Sequence, residues 1–402
     1  MSESLPTVTT MPAARQPGCP FDPPKELLDL REHGPIARYS FPDGHQGWLV
    51  TGYDLVRSVL ADSRFSSRKE LMRHHPTIDF GDIEVPPAPP GEFLLMDDPQ
   101  HSRYRKPLVG KFTVRRMRQL TERVEQVTAE HLDAMEKAGP PADLVTAFAK
   151  PIPAVMICEL LGVPYEDRGS FQENIDTFMS GETGDEELIA AYTAVQIYLA
   201  ELVAAKRAHP TDDILSELTD SDLTDEELKG MSLILLAAGL DTTTNMLALG
   251  TFALLRNPAQ LAALRAGPEL VDSAVEELMR YLSVAKGFGR VALEDVELGG
   301  QTIEAGTTVL LSYNAANRDP ARFSDPHLLD LRRQDGGHLG FGHGIHQCLG
   351  QQLARVEMRV AFTALVRRFP TLRLAVPADE VALRPETADI YGVKSLPVTW
   401  DA

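Results

Sequence analysis

The residues best suited to chemistry lie together near the carboxy-terminal end, in the stretch FGHGIHQCLGQQLAR from Phe341 to Arg355. Phe341, His343, His346 and Cys348 are interleaved with Gly342, Gly344 and Gly350, and apolar residues at 349, 353, 356 and 360 then recur at helical spacing. The pattern places Cys348 at the entrance of a helix, where unpaired N–H groups and the positive end of the helix dipole favour a thiolate. Glycines let the backbone fold tightly and let a flat cofactor approach closely. A thiolate presented in this way suits the axial position of a haem iron, where its electron density favours O–O cleavage. A cysteine taken alone is as often a small core hydrophobe. Cys19 and Cys158 have no comparable surroundings and read as ordinary thiols.

A second reactive set interrupts an apolar run. Residues 230–256, GMSLILLAAGLDTTTNMLALGTFALLR, predict a helix of about 40 Å that stops at Asn257-Pro258. Asp241-Thr242-Thr243-Thr244-Asn245 breaks the run into pieces too short to cross a bilayer, so the helix belongs in a large protein core. A buried carboxylate is costly without a partner, so Asp241 needs a reason to be there. An acid beside a hydroxyl can pass protons as positioned general acids.

These stretches resemble the cytochrome P450 family. Phe341, Gly344, Cys348 and Gly350 match its Phe-x-x-Gly-x-x-x-Cys-x-Gly ligand loop without departure, and Ala238-Gly239-Leu240-Asp241-Thr242 is similar to its oxygen-activation motif. Matching motifs run from His101 to Gly350, so the resemblance covers nearly the whole chain. It implies a mainly α fold, an α-rich triangular prism with a small β-rich region, formed as a single domain over 1–402. It implies haem b (iron protoporphyrin IX) with Cys348 on the metal, Phe341, Gly342 and Gly350 beside it, and His101, Arg105, Arg290 and His346 on the propionates. Asp241 and Thr242 take the proton-relay role, with Ala238 and Gly239 against the haem. Glu277-x-x-Arg280 matches the family's ion pair, completed by Arg333. The implied reaction is monooxygenation, inserting one atom of O2 into a C–H bond of a small hydrophobic molecule. No flavin or iron–sulfur segment is present, so the implied electron donor is a separate ferredoxin with its reductase. The pattern is most similar to actinobacterial members that tailor polyketides, macrolides and other secondary metabolites. A haem-thiolate sensor or binding protein without oxygenation is the alternative, and it would not require Asp241-Thr242.

The remaining elements must position these groups. PFDPPKELLDLREHG predicts a helix stopped by Gly34, Pro42–Gly44 a hairpin turn, TGYDLVRSVLAD a helix, and Gly299-Gly300 a second hairpin. Residues 65–92 are proline-rich and irregular, the position of the family's pocket cover. His101 and Arg105 share a helical face in a segment with Arg103, Lys106, Lys111, Arg115, Arg116 and Arg118 and no acid between Asp98 and Glu122. Its outward cations are expected to meet an acidic redox partner. VMICELLGVPYEDR predicts a buried helix stopped by glycine and proline, VDSAVEELMRYL carries Glu277 and Arg280 on one face, and ADIYGVKSLPVTW resembles the family's terminal hairpin. Val284, Ala285 and Ile390 are expected to face substrate. Lys286 beside them is read as reaching an acidic part of the ligand, helped by Arg73, His74 or His75, or as turned to solvent or a propionate.

A formal net charge of −19 disfavours nucleic acid as a partner. Three cysteines without close spacing argue against a disulfide framework, and the first twenty residues lack the apolar core of a signal peptide or anchor. The expectation is a cytoplasmic, monomeric protein away from membranes.

Overall fold

The computed structural model describes residues 5–16, 18–72, 84–111, 114–180, 184–386 and 388–401. Its organising element is a helix over Asp225–Arg256, which begins earlier than the apolar run suggests. The start is set by a capping box: Thr224 Oγ1 accepts from Glu227 N at 3.2 Å, and Glu227 Oε2 accepts from Thr224 N at 2.8 Å. Gly230 is therefore interior, where glycine serves a contact. A Cβ on Gly230 would lie 2.0 Å from Pro90 O, and one on Gly91, at φ +87°, would lie 2.1 Å from Glu227 O. Two glycines thus let the chain at Pro90–Gly91 lie against the helix. The other end of that proline-rich stretch is fastened by Asp97, which accepts from Ser66 Oγ at 2.5 Å and Ser67 N at 2.8 Å.

Helices Pro151–Leu161, Asp185–Ala208, Val271–Leu282 and Gln351–Arg368 pack around the central one. One apolar core joins Phe148, Phe252, Leu278 and Phe362, and another joins Ile157, Leu161, Leu199 and Leu236. Two helices are long and apolar enough to cross a membrane, Glu186–Ala208 and Asp225–Arg256. The second has most of its apolar window inside the protein, as expected for a core helix.

The expected helices form over Lys25–His33, ended at Gly34, and over Tyr53–Ala61. A six-stranded sheet has the order Thr7–Val8, Ile36–Ser40, Gln46–Val50, Thr308–Ser312, Gly287–Ala292 and Phe65–Ser66. The hairpin around Pro42–Gly44 supplies its second and third strands, in the register Ile36↔Val50. Val296–Leu298 and Gln301–Ile303 pair across Gly299-Gly300 as read from sequence. The carboxy terminus differs. Val393–Ser395 pairs with Ala382–Leu383, whereas Pro397–Thr399 joins Arg373–Leu374 and Ala142–Asp143. The chain changes sheet at buried Leu396, whose N–H donates to Asp143 Oδ1 at 2.8 Å instead of continuing a ladder.

Candidate active site

Cys348 closes its own loop: its N–H donates to Phe341 O at 2.8 Å, and Gly342 and Gly344 make the bends with φ +67° and +72°. The helix begins at Gln351, so the sulfur faces its first turn. Burial pushes the Cys348 thiol up, while the N–H groups of Gly350 and Gln351 and the charges of Arg105 and Arg355 pull it down. The dipole argument from sequence has the right sign, but burial outweighs it. A cation at the sulfur tips the balance to thiolate. Arg355 lies 4.5 Å from the Phe341 ring centre and is held by Glu276 at 2.6 and 3.0 Å.

Cys348 lines an open cleft of about 1750 Å³, solvent-facing space included, which also reaches Phe341, Gly342, Gly350, Ala238, Gly239 and Thr242. At one edge stand Arg105, Arg290 and His346, with the His101 ring 4.3 Å from that of His346. The ring nitrogens of the two histidines are buried and lack a hydrogen-bond partner among the described residues, although His101 Nδ1 stands 3.5 Å from Asp98 Oδ1. Burial, then His101, Arg290 and Arg105, lowers the His346 imidazole to about 3, and burial likewise lowers His101 and Arg290. Each neutral imidazole has one N–H to donate, and those two donors, buried beside two guanidinium groups, call for anionic acceptors. The carboxylates of a haem answer that need, and the apolar walls answer its flat face, so the residues present fit the cofactor.

Asp241 and Thr242 are adjacent in sequence but do not face the same way. Thr242 lines the cleft, its hydroxyl donating to Ala238 O at 2.8 Å. Asp241 is not among the lining residues. Its carboxylate accepts from Arg384 Nη1 at 2.7 and 2.8 Å and from Asn245 Nδ2 at 2.9 Å. The partner that makes a half-buried Asp241 tolerable is thus an arginine the sequence did not single out. Glu357 is a second surprise. It is fully buried at the cleft wall, hydrogen-bonded to Thr243, and burial raises its carboxyl to about 8. A charged residue in the apolar phase of VEMRV was the available signal.

Glu277 and Arg280 meet at 2.7 and 2.8 Å, Arg333 reaches Glu277 at 3.0 Å, and the Asp330 N–H donates to it at 2.9 Å. Arg280 also donates to the carbonyls of Asn317, Pro326 and Leu328, tying the helix to the loop that precedes the cysteine.

Val284, Ala285 and Ile390 line the cleft with Phe93, Leu94, Leu95, Ile234, Leu235 and Phe288. Lys286 does not. Its Nζ donates to Glu386 O at 2.8 Å, because a backbone carbonyl within reach satisfies the ammonium better than an apolar wall. Arg73, His74 and His75 lie outside the described residues. The basic segment is also less free than its composition suggests. Arg103 pairs with Asp222 and Glu227, Lys111 with Glu217, and Arg116 with Asp212 and Glu217. Acids distant in sequence neutralise these three.

A half-buried cysteine thiol and a helix hydroxyl on one cleft, with Arg105, Arg290 and His346 at its edge, suit a haem-thiolate site on an α-rich frame. The family model described as Cytochrome P450 matches residues 268–388. Cytochrome P450 105C1 of a Streptomyces species is 51% identical over 94% of this chain and 96% of its own length. Pentalenic acid synthase of Streptomyces avermitilis is 44% identical over 95% of each. A crystal structure of CYP105P1 in complex with filipin I superposes with a TM-score of 0.89, at 42% identity, over 98% of this chain and 99% of that one. The chain belongs to the cytochrome P450 family of monooxygenases, and its fold is the P450 fold.

Proposed function

We propose that this monooxygenase hydroxylates, or successively oxidises, a C–H bond of a hydrophobic natural product such as a polyketide or macrolide, with electrons from a ferredoxin and its reductase. The observation that carries the reading is the cleft: Cys348 and Thr242 line one cavity whose walls away from Arg105, Arg290 and His346 are mainly apolar. The names of the relatives support the substrate class, one acting to give pentalenic acid and one holding filipin I. Haem b bound here would supply the oxygen chemistry. Cys348 would hold its metal, while His101, Arg105, Arg290 and His346 would fix its carboxylates. Phe341, Gly342 and Gly350 would shape one face, and Ala238 and Gly239 the other. The Thr242 hydroxyl delivers a proton into the cleft at Oγ1 and is resupplied from Asp241. Phe93, Leu95, Val284, Ala285 and Ile390 hold the substrate and exclude water. Glu277, Arg280 and Arg333 brace the loop. We read the chain as one catalytic domain over 1–402, cytoplasmic and monomeric.

The test is spectral. The reduced, carbon monoxide-bound protein is expected to show the red-shifted Soret band of thiolate ligation, and Cys348→His to lose it. Retention of the band in Cys348→His refutes the assignment. Thr242→Ala is expected to keep consuming reductant while product falls and peroxide rises.

A further inference from the structure

The amino-terminal end of the chain is built into the back of the cleft wall. Phe21 lies in the core, its ring 5.0 Å from that of Phe252 and 6.3 Å from that of Tyr281. Asp22 beside it accepts from buried Arg318 Nη1 at 3.0 Å, while Arg318 Nη2 donates to Phe21 O at 3.2 Å and to Tyr281 O at 2.9 Å. Phe21 and Asp22 are thereby fixed to the helix Val271–Leu282, which also carries Glu277 and Arg280.

From that anchor the segment reaches the loop of Ile390. Tyr391 Oη donates to Pro20 O at 2.7 Å, and Arg15 N donates to Glu386 Oε1 at 3.2 Å, across 371 positions in each case. The Arg15 guanidinium lies 3.6 Å over the centre of the Tyr391 ring, and its Nη1 donates to Asp22 O at 3.0 Å. Arg15 Nη2 is buried and has no hydrogen-bond partner among the described residues, so the ring face is what compensates it. Turning the ring away would strand both the tyrosine hydroxyl and the cation. On the other side of the loop, Tyr391 N donates to Val284 O at 2.8 Å, and Ile390 forms an isolated bridge with Ala285. Val284, Ala285 and Ile390 line the cleft, whereas no described residue from 15 to 22 does.

We propose that Arg15 is a positioning residue for substrate selection: with Pro20 and Asp22 it holds Tyr391, and through Tyr391 it holds Ile390 at a fixed depth, which sets how long a ligand the cleft accepts. This rests on the reading of the cleft as the reactive site, and it gives the amino-terminal segment no part in the oxygen chemistry. A residue one layer behind a wall can act in this way because a close-packed wall yields only where its backing yields. Without the guanidinium one face of the Tyr391 ring is unsupported, and the Ile390 loop can retreat. A longer ligand then enters with nothing altered within reach of Cys348.

The experiment titrates haem-loaded, full-length protein with 1-alkylimidazoles from methyl to decyl, followed by the shift of the Soret band. The imidazole nitrogen binds the metal in every member, so chain length alone samples the far wall. In the parent, affinity is expected to rise about fourfold per methylene while the chain still gains burial, then to stop rising where it meets the wall. Arg15→Gln is expected to match the parent for short chains and to exceed it about tenfold for the longest. Arg15→Lys, which keeps a cation for the ring, is expected to restore the parent's limit, and Tyr391→Phe, which keeps the ring and loses the Pro20 contact, to fall between. Amide hydrogen exchange at Ile390 and Tyr391 is expected to rise in Arg15→Gln while the urea midpoint stays near the parent's. A series that superposes on the parent's overturns the proposal, and so does a variant that weakens every member alike with a lowered urea midpoint, because that is general loss of packing. If no member shifts the Soret band of the parent, the reading of the cleft itself falls and takes the proposal with it.

Discussion

Glu357→Gln is the sharpest probe of how this protein tolerates a buried acid. The carboxyl is fully enclosed, its one hydrogen-bonding side chain is Thr243, and burial raises it from 4.5 to about 8. In the unfolded chain it loses its proton near the ordinary carboxylate value, so between those pH values the unfolded state binds fewer protons than the native one. Stability must then fall as pH rises through that window, at about 1.4 kcal/mol per pH unit, and level off above it. The full loss attributable to this residue is on the order of 3–5 kcal/mol. Glutamine has the same shape and no charge to hide, and it can still bond Thr243. Glu357→Gln is therefore expected to match the parent near pH 5 and to become progressively more stable than it towards pH 8. Urea midpoints followed by the fluorescence of Trp48 and Trp400, both buried, measure the difference at each pH. Every other titrating group is common to the two proteins and cancels. Parallel stability curves from pH 5 to 8 would refute the reasoning, because they would mean that Glu357 is already charged in the native state.

Three other substitutions are informative. Glu277→Ala leaves buried Arg280 without a carboxylate and Arg333 with only Asp335, and it is expected to cost about 3–5 kcal/mol and to lower haem loading; a normally loaded, normally stable variant would show that the network is dispensable. Lys286→Met is expected to weaken acidic and neutral cleft ligands alike, as judged by spectral titration of both kinds, since the ammonium holds the Glu386 carbonyl and not the ligand; selective loss of acidic ligands would return Lys286 to the cleft. For the electron donor, exposed Arg57 lies in the hollow shared by Arg322, His343 and Gln347 beside the cysteine loop, and exposed Lys106 has no ion pair among the described residues. Arg57→Glu with Lys106→Glu is expected to slow ferredoxin-driven turnover and flatten its salt dependence while peroxide-driven turnover persists; equal loss of both would mean misfolding.

Much of the frame could be read from local spacing. The cysteine loop, the Glu277–Arg280 face and the turns at Gly34, Pro42–Gly44 and Gly299-Gly300 are set by residues a few positions apart, where helix and turn geometry is decisive. What escaped depends on long-range closure. Arg384 meets Asp241 across 143 positions, and nothing in the local pattern of either residue names the other. The same is true of the acids at 212, 217, 222 and 227, which pair with Arg103, Lys111 and Arg116 in a segment that looks free in one dimension. The start of the central helix was legible in Thr224 and Glu227, but the apolar run drew the boundary to Gly230. The terminal strands had strand composition, yet their division between two sheets depends on a half-buried Asp143 far upstream.

The paired anchors of the proline-rich stretch have a consequence for how this protein can diversify. Ser66 and Ser67 fix one end on Asp97, and Pro90–Gly91 fixes the other on the central helix. Met72 and Phe93 to Leu95 line the cleft near those two ends. A substitution at Met72 or at Phe93 to Leu95 therefore reshapes the cleft wall while leaving both fastenings, the cysteine loop and the helix opposite in place. Cleft shape and reactive centre are in that sense separately adjustable.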